Sequence, residues 1–102
     1  MELKDIEFLL PDNIVSEFEN DTDSFDIMVN ATNQLIKHYS GSEYQLSMIN
    51  EFVDVFVKLC SKRFENLPKE QIVQIEANYI TAIDKLQTYK FKDIVVSGVY
   101  NA

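Results

Sequence analysis

The sequence predicts a mainly α fold: a small bundle of three to four helices in a single domain, followed by a C-terminal extended tail. Three observations predict it. Only two Gly and two Pro occur in 102 residues, too few punctuators for a turn-rich β fold or a long linker. Apolar residues recur at the i, i+3, i+4, i+7 spacing of one helix face instead of alternating. The closing "DIVVSGVYNA" turns to β-branched and aromatic residues. At this length there is room for one core, and seven Phe and five Tyr are available to fill it.

Taken in order, residues 1–20 carry two short apolar groups, Leu3, Ile6, Leu10 and then Ile14, Val15, Phe18, split by Pro11. Proline suits a first helical turn and discourages helix just before itself, so two short helices are expected. The next helix, over 24–40, has the clearest stripe: Phe25, Met28, Val29, Thr32, Leu35, Ile36 and Tyr39. Asp23 or Ser24 is expected to cap its start, with Asp26 completing a variant of the capping box. Gly41 supplies a left-handed stop, and Lys37 and His38 suit the negative end of the dipole.

A third helix is expected over 44–66, with a main stripe of Leu46, Ile49, Phe52, Val53, Phe56, Cys60 and Phe64. Val55, Val57 and Leu59 add apolar positions on its other sides, so it should be central to the fold or pressed against another subunit. Pro68 opens a fourth helix over 68–89, striped by Ile72, Ile75, Tyr79, Ile80, Ile83 and Leu86. The tail over 93–101 has no obvious strand partner in its own chain, and either pairing with the N-terminal segment or strand addition to a neighbour is expected of it.

Charge is placed unevenly. Residues 1–26 hold nine acids and one base, Lys4, and so carry the whole net charge of −8. The other 76 residues hold eight acids and eight bases. A negative field therefore belongs to the N-terminal end. Sequence-specific nucleic-acid binding is not expected, because phosphate neutralisation needs clustered Lys and Arg, and Arg occurs once, at Arg63. One cysteine rules out an intrachain disulfide. With no signal-like opening and no long apolar run, a cytoplasmic setting without membrane association is expected.

No constellation of catalytic residues stands out, and no enzyme activity, cofactor or metal is expected. The cluster Glu17, Glu19, Asp21, Asp23, Asp26 fails as a calcium loop: counted from Asp21, Phe25 falls where a ligand is needed and Asp26 where glycine must turn. Helix-start chemistry on a solvated negative face is the plainer reading. Cys60 lies on an apolar stripe and reads as a small buried hydrophobe. His38 is the sole histidine. Asn30-Ala31-Thr32 matches a glycosylation triplet, but inside a helix.

The stretch "DTDSFDIMVNATNQLIKHYSG" resembles the signature of the small head–tail connector (adaptor) proteins of tailed bacteriophages. In that family an acidic turn leads into a helix with an Ala-[Ala/Thr] pair and a Tyr-[Ser/Thr]-Gly end. Here these are Asp21, Asp23, Ala31, Thr32, Tyr39, Ser40 and Gly41. "EFVDVFVKLCSKRFENL" is similar to the family's second long helix, with Phe64, Glu65 and Asn66 as its aromatic-Glu-Asn close. Two departures stand beside this: Ser42-Glu43 replaces the usual Arg after the glycine, and the tail is unusually β-like.

The resemblance implies a structural subunit whose copies form a ring between portal and tail, assembled in the cytoplasm and carried in the virion. Expected partners are further copies, the portal, and a neighbouring connector or tail protein. Contacts are expected from Glu17, Glu19, Asp21 and Asp23, from Val55, Val57 and Leu59, and from Ile94, Val96, Val99 and Tyr100. The alternative, drawn from charge alone, is a small acidic inhibitor or immunity protein that meets a basic target protein.

Overall fold

The computed structural model describes residues 1–90 in full; beyond Lys90 it carries only the bounds of the last helix. The extended tail expected over 93–101, with Ile94, Val96, Val99 and Tyr100, lies outside the described residues. The rest is mainly helical, with no strand among the described residues. In order come α1 (Leu3–Ile6), a 3-10 turn at Glu7–Leu9, α2 (Asp12–Phe18), α3 (Thr22–Ser40), a second 3-10 turn at Leu46–Met48, α4 (Ile49–Ser61) and α5 (Lys69–Asn101).

The N-terminal segment is a strap. Ile6, Leu10, Ile14 and Phe18 recur every fourth residue and all are buried. Pro11 divides them as its chemistry requires: the chain is extended at Leu10, and the Pro11 carbonyl accepts from the N–H groups of Ile14 and Val15 at 3.0 and 3.1 Å. At its far end, Phe18 packs edge-on to Phe25 of α3, with ring centroids 5.7 Å apart, and against Phe56 of α4 at 5.8 Å. Phe25 closes the triangle with Phe56 at 5.5 Å. Aromatic pairs at this spacing contribute about 0.5–1.5 kcal/mol each beyond their buried area.

α3 buries Phe25, Val29, Thr32, Ile36 and Ser40, close to the stripe its sequence shows. The buried Thr32 hydroxyl donates to the Met28 carbonyl at 2.8 Å, so it costs the core no unpaired polar group. Gly41 ends the helix at φ 73°, in the left-handed region, with its N–H donating to the Lys37 carbonyl. The start differs from expectation: the cap is Asp21, ahead of Asp23 and Ser24. Asp21 prevails because its two carboxylate oxygens accept from both the N–H and the hydroxyl of Ser24, at 3.0 and 2.6 Å.

α4 is shorter than the expected 44–66 at both ends. Ahead of it, Gln45 is extended and Tyr44 lays its ring edge-on to Phe52 at 5.2 Å. Leu46, expected on the buried stripe, is 76% exposed, and Met48 takes the core position. Behind it, the chain turns at Cys60–Phe64, where Arg63 N–H reaches the Cys60 carbonyl at 2.9 Å. That turn brings Phe64 and Leu67 back against the core as loop residues. Between these ends α4 is the central helix, packed chiefly on α5 and α3.

Candidate functional site

Within the described residues, those expected to meet a partner are four acids, Glu17, Glu19, Asp21 and Asp23, and three apolar residues of α4, Val55, Val57 and Leu59. Glu17 and Glu19 sit at the end of α2, Asp21 caps α3, and Asp23 is in its first turn, so the four carboxylates do gather at the α2–α3 corner. All four are exposed, and none belongs to an ion pair among the described residues. Asp21 is nonetheless committed to structure. The Ser24 hydroxyl first, then the Ser24 N–H, hold its carboxyl below the usual range, with Arg63 adding a smaller pull. Arg63 Nη2 also donates to the Ser24 hydroxyl at 3.4 Å and lies 5.8 Å from the Phe18 ring centroid. Glu17, Glu19 and Asp23 remain as a solvated negative edge.

Val55 and Val57 are not on a surface. They are 0% and 7% exposed, enclosed by the chain's own helices, and Leu59 is half-buried against the same core. Of the two outcomes open to a helix apolar on several sides, α4 takes the central one. The expectation that Val55 and Val57 meet another subunit is therefore corrected: packing within the chain's own bundle leaves them no free face.

Unpartnered apolar surface appears on α5 instead. Its core face is Ile75, Tyr79, Ala82, Ile83 and Leu86, with Ala82 only 1% exposed. Ile72 and Ile80, expected on the buried stripe, are 49% and 57% exposed, and Val73 is 63% exposed. Val73, Ala77 and Ile80 follow i, i+4, i+7 and so share one side of the helix. Sequence reading missed this stripe because a single smear of β-branched residues contains two faces. The separating signal was Ala82, buried at i+7 from Ile75 and so on the same side of the helix.

The polar residues between helices are structural. Lys58 of α4 pairs with Glu76 of α5 and lies 5.9 Å from the Tyr79 ring centroid. Asn13 of α2 and Gln71 of α5 exchange amide hydrogen bonds at 3.2 and 3.4 Å. Burial pushes the Cys60 thiol up to about 12, with Arg63 only partly opposing, which is the reverse of an activated nucleophile. Among the described residues no helix is long and apolar enough to cross a membrane.

What this site offers is surface: a carboxylate edge at one corner and an aliphatic stripe along the first half of α5. No protein-family model matches the chain, and no curated protein or solved structure matches it.

Proposed function

We propose that this protein is a non-enzymatic assembly subunit that works by docking on other protein chains, with the head–tail connector of tailed bacteriophages as the specific form. The observation that carries the reading is the Val73–Ala77–Ile80 stripe, aliphatic and largely exposed on a helix whose opposite face is already packed. A lone exposed apolar residue is ordinary, but residues aligned along one side make a patch that water disfavours. The signature over Asp21–Gly41 supports the connector form, and its capped start and glycine stop are built as such a helix requires. Connector copies would associate through α5, with portal and neighbouring tail proteins as further partners.

Light scattering of the purified chain over a range of concentrations, alone and with a portal-type ring protein, tests the reading. Assembly that is lost in Val73→Gln/Ile80→Gln supports it. A chain that stays monomeric under all these conditions refutes it.

A second reading, an acidic inhibitor of a basic target protein, is favoured by Glu17, Glu19 and Asp23, which have no cationic partner among the described residues. Neutralising Glu17, Glu19, Asp21 and Asp23 distinguishes the two. An inhibitor loses association rate steeply, whereas a connector still assembles.

A further inference from the structure

A cleft of about 170 Å³ opens where the N-terminal strap, α4 and α5 meet. That is below the usual size of a small-molecule site and leaves room for about one side chain. Its walls are apolar: Leu9 and Pro11 from the strap, Val53 and Val57 from α4, and Ile75 from α5. Among them stands a single ionisable residue, Asp54 of α4. Its carboxylate belongs to no ion pair among the described residues and accepts no hydrogen bond from their side chains. Neither of its oxygens is sealed off, because the one enclosed and unpartnered side-chain polar atom among the described residues is Asn33 Oδ1. Asp54 is thus open to an occupant of the cleft.

The surroundings set the charge and shape of that occupant. Burial first, and then Glu51, push the Asp54 carboxyl above the usual carboxylate range, with Lys85 opposing. Glu51 lies one turn back on α4, is 9% exposed, and also has no ion pair among the described residues. Lys85, two turns past Asn78 on α5, pairs with neither acid. Two acids therefore share one distant base, and a cation brought into the cleft redresses the balance. A bare divalent ion is poorly served, since calcium takes about six to eight oxygen ligands and the cleft offers one carboxylate among amides. An ammonium on an aliphatic stem is well served, because the stem can lie along apolar walls while its head meets the acid. Gln74 and Asn78 also line the cleft. Gln74 Nε2 donates to Asn78 Oδ1 at 2.9 Å, which leaves Gln74 Oε1 as a second acceptor.

We infer that this cleft is a binding site for a primary alkylammonium group, whose stem lies against Pro11, Val53 and Ile75 and whose head pairs with Asp54 and Gln74 Oε1. A lysine side chain of a partner protein and a free short-chain amine share this chemistry. The site does not depend on the α5 stripe, since Val73 and Ile80 do not line it.

The test is a titration of the full ¹⁵N-labelled chain with butylammonium, with Nα-acetyl-lysine N-methylamide, and with three controls: 1-butanol, butyrate and ammonium chloride. Saturable shifts are expected at Val53, Asp54, Ile75 and the Gln74 side-chain amide with butylammonium, and with none of the controls. Saturating butylammonium should also move the Asp54 carboxyl titration, followed by its ¹³C resonance, to lower pH. Asp54→Asn should weaken binding by about tenfold, the scale of one lost charged contact. That variant removes a charge whose burial is costly, so it is expected to stay folded. Val73→Gln/Ile80→Gln should leave binding unchanged. A lysine amide that binds at least as well as butylammonium assigns the site to a protein side chain, and one that does not bind assigns it to a free amine; both uphold it. Three outcomes overturn the proposal: shifts confined to the Glu17–Asp23 corner, an equal response to any of the controls, or undiminished binding in Asp54→Asn.

Discussion

α4 and the first half of α5 are both rich in β-branched residues on several sides, yet they end in opposite circumstances. α4 lies between α3 and α5 and buries Phe52, Val53, Val55, Phe56 and Val57 in one run. α5 packs on both α4 and α3, and its far side, with Val73, Ala77 and Ile80, is left uncovered. The same composition therefore supplies core in one helix and free apolar surface in the other. Position in the bundle decides, and position is set by connectivity: the turn at Cys60–Phe64 and the Asn13–Gln71 amide pair lay α5 along one side of α4.

Substitutions at matched places break or sharpen this contrast. Phe56→Ala should be the most costly, because its ring meets Phe18, Phe25 and Phe52. A loss of about 3–5 kcal/mol is expected in denaturant titration. Gly41→Ala comes next, at about 1–2 kcal/mol in the same measurement, from placing a side chain at φ 73° where the chain leaves α3 for α4. Val73→Gln/Ile80→Gln on the outer side of α5 should change stability by no more than about 0.5 kcal/mol while altering association in light scattering. A large loss of monomer stability there would mean that this side is covered after all.

The smallest effect is expected at Asp54, half-buried between α4 and α5. Burial first, and then Glu51, push its carboxyl above the usual carboxylate range, with Lys85 opposing. A raised carboxyl means that the folded chain holds the proton to higher pH than the unfolded chain does. Ionised Asp54 therefore costs stability at neutral pH, and the cost disappears as pH falls below the ordinary carboxylate value. Asp54→Asn should raise the melting temperature slightly at pH 7 and not at all at strongly acid pH, as thermal melts across that range would record.

Much of the fold was legible where one helix answers to one stripe. α3 shows this best, with Phe25, Val29, Thr32 and Ile36 inside and Gly41 at its end. Its cap was misplaced because Asp21, Asp23 and Ser24 are all competent capping residues, and only three-dimensional reach selects Asp21. The length of α4 was overestimated for a related reason. Tyr44 and Phe64 fall within the expected helix but reach the core from irregular chain on either side of α4, which periodicity cannot distinguish. The interaction surface was less legible still. Apolar residues on several sides of a helix indicate only that more than one face needs covering; which neighbour covers each depends on packing between distant segments. The Asp54 cleft left no mark at all, since Leu9, Asp54 and Gln74 share no spacing that a linear reading could detect.

Cys60 has a practical consequence. It is the chain's single sulfhydryl, fully enclosed in the interior and held in its unreactive protonated form. A thiol-modifying dye should therefore be unable to reach it until the bundle opens around α4. The rate of labelling becomes a direct readout of how often that opening occurs, without any engineered probe.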